Sequence, residues 1–452
     1  MIFPEIFRGS NRAPNRTDDS GPGILTVGLH KGFCWPLIRA LAFVLLIALA
    51  ACRPAPREIT ALYMTGVYAD SARTLAEEFE RQTGIQVKIV SAPYLTLHEK
   101  ELTELLNGSR DYDVMQVAQQ WDGEILPHLL PLDGLINTNS SYFQDFIPQI
   151  RESCGELDGR TYGLPMASDA ITLLYRTDVF RARSAEFRRL TGRTLEPPQT
   201  WDDYIQLAGF FNSESLYGNI IMGLKEQNFT IWSGIFFGMG GQLVDDHWRP
   251  VLNSEVGVRS LNLFVQMFHD SPPNSQTLGI EKANALFLQG WGAMYLTWPS
   301  LIWEQMQDTN LCQVSGKVAA AVIPGIKPQV SAWSLGVNRN CPDSDAAFKW
   351  VVFYLNKANT KKLLLDYGKG SPRISTYQDE ECRNKVFYLP QVRAGLESGI
   401  PRFRIPPSQE LCDYLDDQIS QAVAGRITPK VALDRTAAYW RTVLKKTGYL
   451  RE

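Results

Sequence analysis

The chain has 452 residues, of which 44% are hydrophobic and 21% charged, with 45 Lys and Arg set against 48 Asp and Glu. A formal charge of −3 with no long basic run argues against nucleic acid as a partner, and the apolar fraction excludes a disordered chain. Length alone suggests about three domains, and 11 Trp, 17 Tyr and 21 Phe are enough to fill large cores and still line a ligand site.

The front of the chain fixes the compartment. Ala40 to Ala51 is an uncharged apolar run preceded by Lys31 and Arg39. Crossing a bilayer takes about 20 apolar residues, and Arg39 prevents this run from extending upstream, so it reads as an export signal and not a permanent anchor. It ends in Leu49-Ala50-Ala51-Cys52, which resembles the lipobox of bacterial lipoproteins, where the cysteine is lipidated and becomes the mature N-terminus. The alternative is a soluble exported protein cut at an Ala-x-Ala-like site at Ala48 to Ala50. Residues 1–30 are polar and long for a segment preceding an export signal, which points to translation starting near Val27. Residues 1–51 are thus a signal region and 52–57 a lipidated tether.

Cys34 leaves with the signal and Cys52 takes the lipid, so Cys154, Cys312, Cys341, Cys382 and Cys412 remain. Outside the cytoplasm this odd number permits one or two disulfides, with the pairing left open. No CxxC or Cys/His spacing marks a metal site, and neither metal nor cofactor is expected.

Ile59 to Met64 reads as a buried strand, followed by a helix capped at Asp70 or Ser71, with Ala72, Leu75, Ala76 and Phe79 on one face and Gly84 past its end. Ile85, Val87 and Ile89 alternate as the next strand, completing a βαβ unit and arguing for an α/β sheet. A helix at His98 to Leu106 and a strand at Tyr112 to Val117 continue the alternation. Leu164 to Tyr175 reads as one strand, Trp201 to Phe211 as a helix capped by Thr200, and Gly290 to Trp298, Lys317 to Ile323 and Ser331 to Val337 as further strands. The last third is helical at Asp343 to Leu355, Gln409 to Ala424 and Thr428 to Lys446. No repeat is present. An exported α/β chain of this size is most simply two lobes around a cleft.

Several segments, in this order, resemble the extracellular solute-binding proteins of sugar-importing ABC transporters, the group that includes maltose- and trehalose-binding proteins. They are Arg81-Gln82-Thr83-Gly84-Ile85, Asp111-Tyr112-Asp113-Val114 leading to Gln119-Gln120-Trp121, Gly159-Arg160-Thr161-Tyr162-Gly163-Leu164-Pro165, Leu174-Tyr175-Arg176-Thr177-Asp178, Pro198-Gln199-Thr200-Trp201-Asp202-Asp203, Phe287-Leu288-Gln289-Gly290-Trp291-Gly292-Ala293-Met294, Val322-Ile323-Pro324-Gly325 and Trp333-Ser334-Leu335-Gly336-Val337. The resemblance covers most of residues 58–450. It implies a periplasmic-binding-protein-like fold of two discontinuous α/β lobes joined by hinge crossovers, lobe one near 58–165 plus 326–371 and lobe two near 166–325 plus 372–452. It also implies a monomer without enzymatic activity, held at the membrane by its lipid, that captures a mono- to oligosaccharide and hands it to the transmembrane subunits of an ABC permease.

A sugar offers hydroxyls that need polar partners and C–H faces that pack on aromatic rings. From the positions at which the resembling proteins contact ligand, Gln120, Trp121, Asp169, Phe229, Trp232, Trp298, Trp333 and Arg373 are the expected contacts. Trp333 stands in Ser331-Ala332-Trp333 where the family usually has Gly-Gly-Trp, which suggests a narrower pocket. Trp201, Trp350 and Trp440 sit in helical patterns and read as packing residues, and Trp291 and Trp303 as core or surface. The competing readings are the same fold holding a polyamine, metal ion or anion, a sensory or scaffold lipoprotein, and an exported carbohydrate-active enzyme. No carboxylate pair, GxSxG, HExxH, Walker or GxGxxG signature favours the last.

Overall fold

The computed structural model describes residues 57–450 apart from Glu226 and the side chain of Leu95. The export signal and Cys52 lie outside the described residues. The strands, in chain order, are β1 (Arg57–Met64), β2 (Ile85–Ala92), β3 (Val114–Ala118), β4 (Glu156–Leu157), β5 (Arg160–Thr161), β6 (Gly163–Ala170), β7 (Thr172–Arg176), β8 (Tyr217–Ile220), β9 (Gly292–Thr297), β10 (Val318–Ala321) and β11 (Val330–Val337). They form one sheet in the order β2-β1-β3-β11-β6, a second in the order β10-β7-β9-β8, and a β4-β5 ribbon.

Each large sheet carries its own helices and core, giving the expected two-lobed α/β fold. In the first, β1 pairs in parallel with β2 and β3, and the helix Val67–Thr83 makes the first crossover. That helix starts earlier than Asp70 because Gly66, at φ 88°, turns the chain and its carbonyl accepts the Asp70 N–H. It stops at Gly84, which takes the left-handed φ of 72° that a C-cap requires. Phe79, Trp350 and Phe353 pack at its buried face, and Trp350 donates to the Tyr63 hydroxyl at 3.0 Å. The second core gathers Phe211, Phe264 and Trp440, the last donating to the Leu411 carbonyl at 2.9 Å. Thr200 and Thr428 cap the helices Trp201–Phe211 and Pro429–Lys446 through their hydroxyls.

Two elements differ from the sequence expectation for physical reasons. The apolar run from Leu164 to Tyr175 is two strands in different sheets, parted at Ile171. At the junction, side chains replace ladder bonds: Asp169 Oδ1 accepts the Ala170 N–H at 2.8 Å, and the Thr172 hydroxyl donates to the Ala170 carbonyl at 3.0 Å. The second is the helix Asn228–Gly238, buried along Asn228 to Phe237, which therefore shows no amphipathic period to read. The cysteines also resolve: Cys154, Cys312, Cys341, Cys382 and Cys412 are all free thiols. Burial pushes the Cys412 thiol up to about 12, so it stays protonated.

The strand that leads to the junction is clasped from outside. β11 pairs with one edge of β6, and residues 368–371 pass close to it: Lys369 Nζ donates to the Met166 carbonyl at 2.6 Å and the Ser168 hydroxyl to the Ser371 carbonyl at 2.9 Å. A Cβ on Gly370 would overlap the Ser168 carbonyl oxygen, so no larger residue fits without moving β6. Gly370→Ala should therefore lower stability by about 1–3 kcal/mol, read by urea denaturation; a variant as stable as the parent would show that the clasp is loose.

Candidate ligand-binding cleft

The cavity lies where both sheets end. Met64 closes β1, Gln120 follows β3, and Trp298 follows β9, so the lining comes from the carboxyl ends of strands in both lobes, the usual place for a ligand in open α/β sheets. Its accessible volume is about 160 Å³.

Strand register builds one wall. In β11, Trp333 sits between Ala118 of β3 and Ala167 of β6, two small neighbours that leave room for the indole. Ser331, two residues earlier and so on the same face, stands opposite Asp169 of β6. Trp333 packs 5.6 Å from Tyr68 and 6.1 Å edge-on to Tyr94, residues near the starts of the helices that follow β1 and β2. Trp298 faces this wall from the other lobe and donates its indole N–H to Ser331 Oγ at 2.9 Å. The cleft is thus lined by two indoles and two phenols.

Asp169 is the acidic member. Its Oδ2 accepts the Ser300 hydroxyl at 2.5 Å and the Ser300 N–H at 3.2 Å. Burial pushes its carboxyl up to about 6, against the downward pull of the Ser300 hydroxyl. Gln227 and Gln329 also line it, and the side-chain oxygen of each is buried without a protein partner. Arg402 completes the polar lining. Acceptors, a guanidinium and flat apolar rings together can hold a molecule rich in hydroxyls. Among the described residues no group of three or more His, Cys, Asp or Glu is placed to hold a metal ion.

Of the expected contacts, Gln120, Asp169, Trp298 and Trp333 line the cavity. The other four do not. Trp121 is 1% exposed in a row behind Trp333, stacked on His98 and Tyr94 and bonded through Nε1 to Gln409 Oε1 at 2.9 Å. Trp232 is 0% exposed because its helix is buried on all sides; it stacks on Phe236 at 4.8 Å and donates to Ser260. Phe229 lies beneath the Arg402 guanidinium, and its backbone N–H is taken by Asp416. Arg373 is 0% exposed, held by the Leu355 and Tyr142 carbonyls and Asp145 over the Phe146 ring. Tyr68, Tyr94, Gln227, Ser300, Gln329, Ser331 and Arg402 were not anticipated. Tyr68 and Tyr94 lie just beyond the ends of β1 and β2, as Gln120 lies just beyond β3, so position after a strand end is the signal that marks them.

Residues 65–361 match the family of bacterial extracellular solute-binding proteins. The chain belongs to that family. This extracellular solute-binding protein is accordingly an exported one, and no described helix is long and apolar enough to cross a membrane. It is 25% identical over 405 residues to a probable amino-acid ABC transporter periplasmic-binding protein of Sinorhizobium fredii, covering 87% of this chain and 91% of the relative. Its fold matches an ABC transporter solute-binding protein of Agrobacterium radiobacter solved with ribitol, at TM-score 0.76 and 26% identity, covering 86% of this chain and 98% of the other. It also matches maltose-bound MalE3 of T. maritima, at TM-score 0.77 and 22% identity, covering 86% and 100%.

The raised Asp169 carboxyl sets the sign of a pH effect. The folded state favours the protonated acid, so Asp169 costs nothing below its ordinary range near 3.8, and its cost grows until pH passes about 6. The full cost is roughly 3 kcal/mol. Asp169→Asn, which cannot ionise, should therefore gain stability relative to the parent as pH rises from 4 to 7, read from urea melts at each pH. A difference that stays flat across this range would mean the carboxylate is solvated.

Proposed function

We propose that the protein captures a sugar or polyol in the interlobe cleft and delivers it to an ABC import permease. The aromatic wall carries this reading: Trp298 and Trp333 offer aromatic surface to C–H faces, while Asp169 offers an acceptor to hydroxyls. The Agrobacterium relative, solved with ribitol, supports a polyhydroxylated solute. The lobes divide near 58–165 plus 326–371 and 166–325 plus 372–452, and ligand favours the closed form because only there do both walls reach it. Cys52 carries the lipid that keeps the monomeric protein at the membrane, and the protein catalyses no reaction.

The amino-acid label of the Sinorhizobium relative names the competing solute class. A thermal-shift screen of monosaccharides, disaccharides, polyols and amino acids separates the two. A true solute at 100 times its Kd stabilises by about 2.7 kcal/mol; shifts confined to amino acids would overturn the sugar reading. Trp298→Ala should weaken solute binding by about 10- to 100-fold, measured by calorimetry, whereas Trp291→Ala, at the exposed end of the second lobe's sheet, should leave affinity as it is. Equal affinities in parent and Trp298→Ala would remove Trp298 from the site.

A further inference from the structure

Among the described residues that line the cleft there is one cation, Arg402, and one carboxylate, Asp169, and the two are not paired. Arg402 stands on the irregular segment before the helix Ser408–Val423. Its Nη2 donates to Thr230 Oγ1 at 2.8 Å, and its guanidinium carbon lies 5.2 Å from the centre of the Phe229 ring. Among the described residues it makes no ion pair, and Asp169 is engaged by Ser300. Asp416, on the following helix, accepts the Phe229 N–H with its Oδ1.

A half-buried guanidinium facing a cavity is poorly compensated. A neutral hydroxyl can accept one N–H from it but leaves the charge standing, whereas a carboxylate accepts two parallel N–H bonds and neutralises it. Asp169 repels an anion, so an acidic ligand enters in one direction only.

Resting on the sugar reading, we infer that the solute is a sugar acid, a uronate or aldonate, whose carboxylate pairs with Arg402 while its hydroxyls reach the polar groups of the lining, Asp169 among them.

Calorimetric titration of the full exported protein with D-glucuronate, D-galacturonate and D-gluconate, beside D-glucose, D-galactose and D-sorbitol, tests this. The acids should bind at least tenfold tighter than their neutral counterparts. In Arg402→Met that ratio should fall to about one, and in Arg402→Lys, which keeps the charge but loses the fork, it should fall only part of the way. Neutral sugars binding as tightly as the acids, or an acid-to-neutral ratio that survives Arg402→Met, would overturn the inference and leave the sugar reading intact. Sugar phosphates outbinding the uronates would overturn it in favour of a dianion. Should no sugar, polyol or sugar acid bind, the sugar reading fails and this inference with it. If Arg402→Met does not fold, the ratio in the parent and in Arg402→Lys decides.

Discussion

The bond between Asp169 and Ser300 ties the architecture to the site. Asp169 stands near the end of β6, in the first sheet, and Ser300 follows β9, in the second, so one carboxylate joins the two lobes at the back of the cleft. Its other oxygen holds the Ala170 N–H at the point where the chain changes sheets. The same side chain therefore ends one strand, anchors the next lobe and faces the ligand space. Burial makes the ionised form costly, and a ligand that donates hydrogen bonds to it recovers part of that cost. The strain of holding an acid here and the affinity for a donor-rich solute are two sides of one desolvation.

Around this joint the aromatic residues divide by depth. Trp333 and Trp298 face the cavity, with Tyr68 and Tyr94 beside them. Trp121 stands in the next row, fixing Trp333 edge-on at 5.6 Å and reaching across to Gln409. A ring in the second row meets no ligand but decides where the first-row ring sits. Substitution there is expected to act through Trp333, a positioning effect and not a lost contact.

Much of the fold is legible in the sequence because its signals are local. Gly84 and Thr200 terminate and cap their helices, and the apolar alternation of Ile85, Val87 and Ile89 marks a strand whatever surrounds it. The failures are equally local in origin. An all-buried strand and an all-buried helix both erase periodicity, so Leu164 to Tyr175 reads as one strand and Asn228 to Gly238 carries no helical period. The site follows the same division. Gln120, Asp169, Trp298 and Trp333 stand where the resembling proteins contact ligand, at or near strand ends or, for Trp333, on a strand face. Arg402 lies in an irregular segment brought to the cleft only by tertiary packing. For Arg373 and Trp232 residue type does not give role: a guanidinium suits two backbone carbonyls as well as two vicinal hydroxyls, and an indole suits a helix core as well as a pyranose.

The interlobe contacts also constrain how the lobes can move. The indole of Trp298 donates to Ser331 across the cavity, and Trp121 donates to Gln409 beyond it. Near the latter, the loop Arg404 to Pro406 runs against Gly123 so closely that a Cβ there would meet its backbone, and Arg404 donates to the Glu156 carbonyl at 2.6 Å while approaching the buried Asp122 carboxylate to 3.6 Å. Backbone packed against backbone is not released by a side-chain rotation, whereas the Trp298–Ser331 bond is a single contact between two groups that both face the ligand. Separation of the walls at Trp298 therefore breaks a few hydrogen bonds, Trp298 to Ser331 and Ser300 to Asp169, and separation at Gly123 would break a packed seam. The lobes are expected to part on the Trp298 side and turn about the Gly123 side, which places the moving wall, with its indole, against whichever face of the solute arrives last.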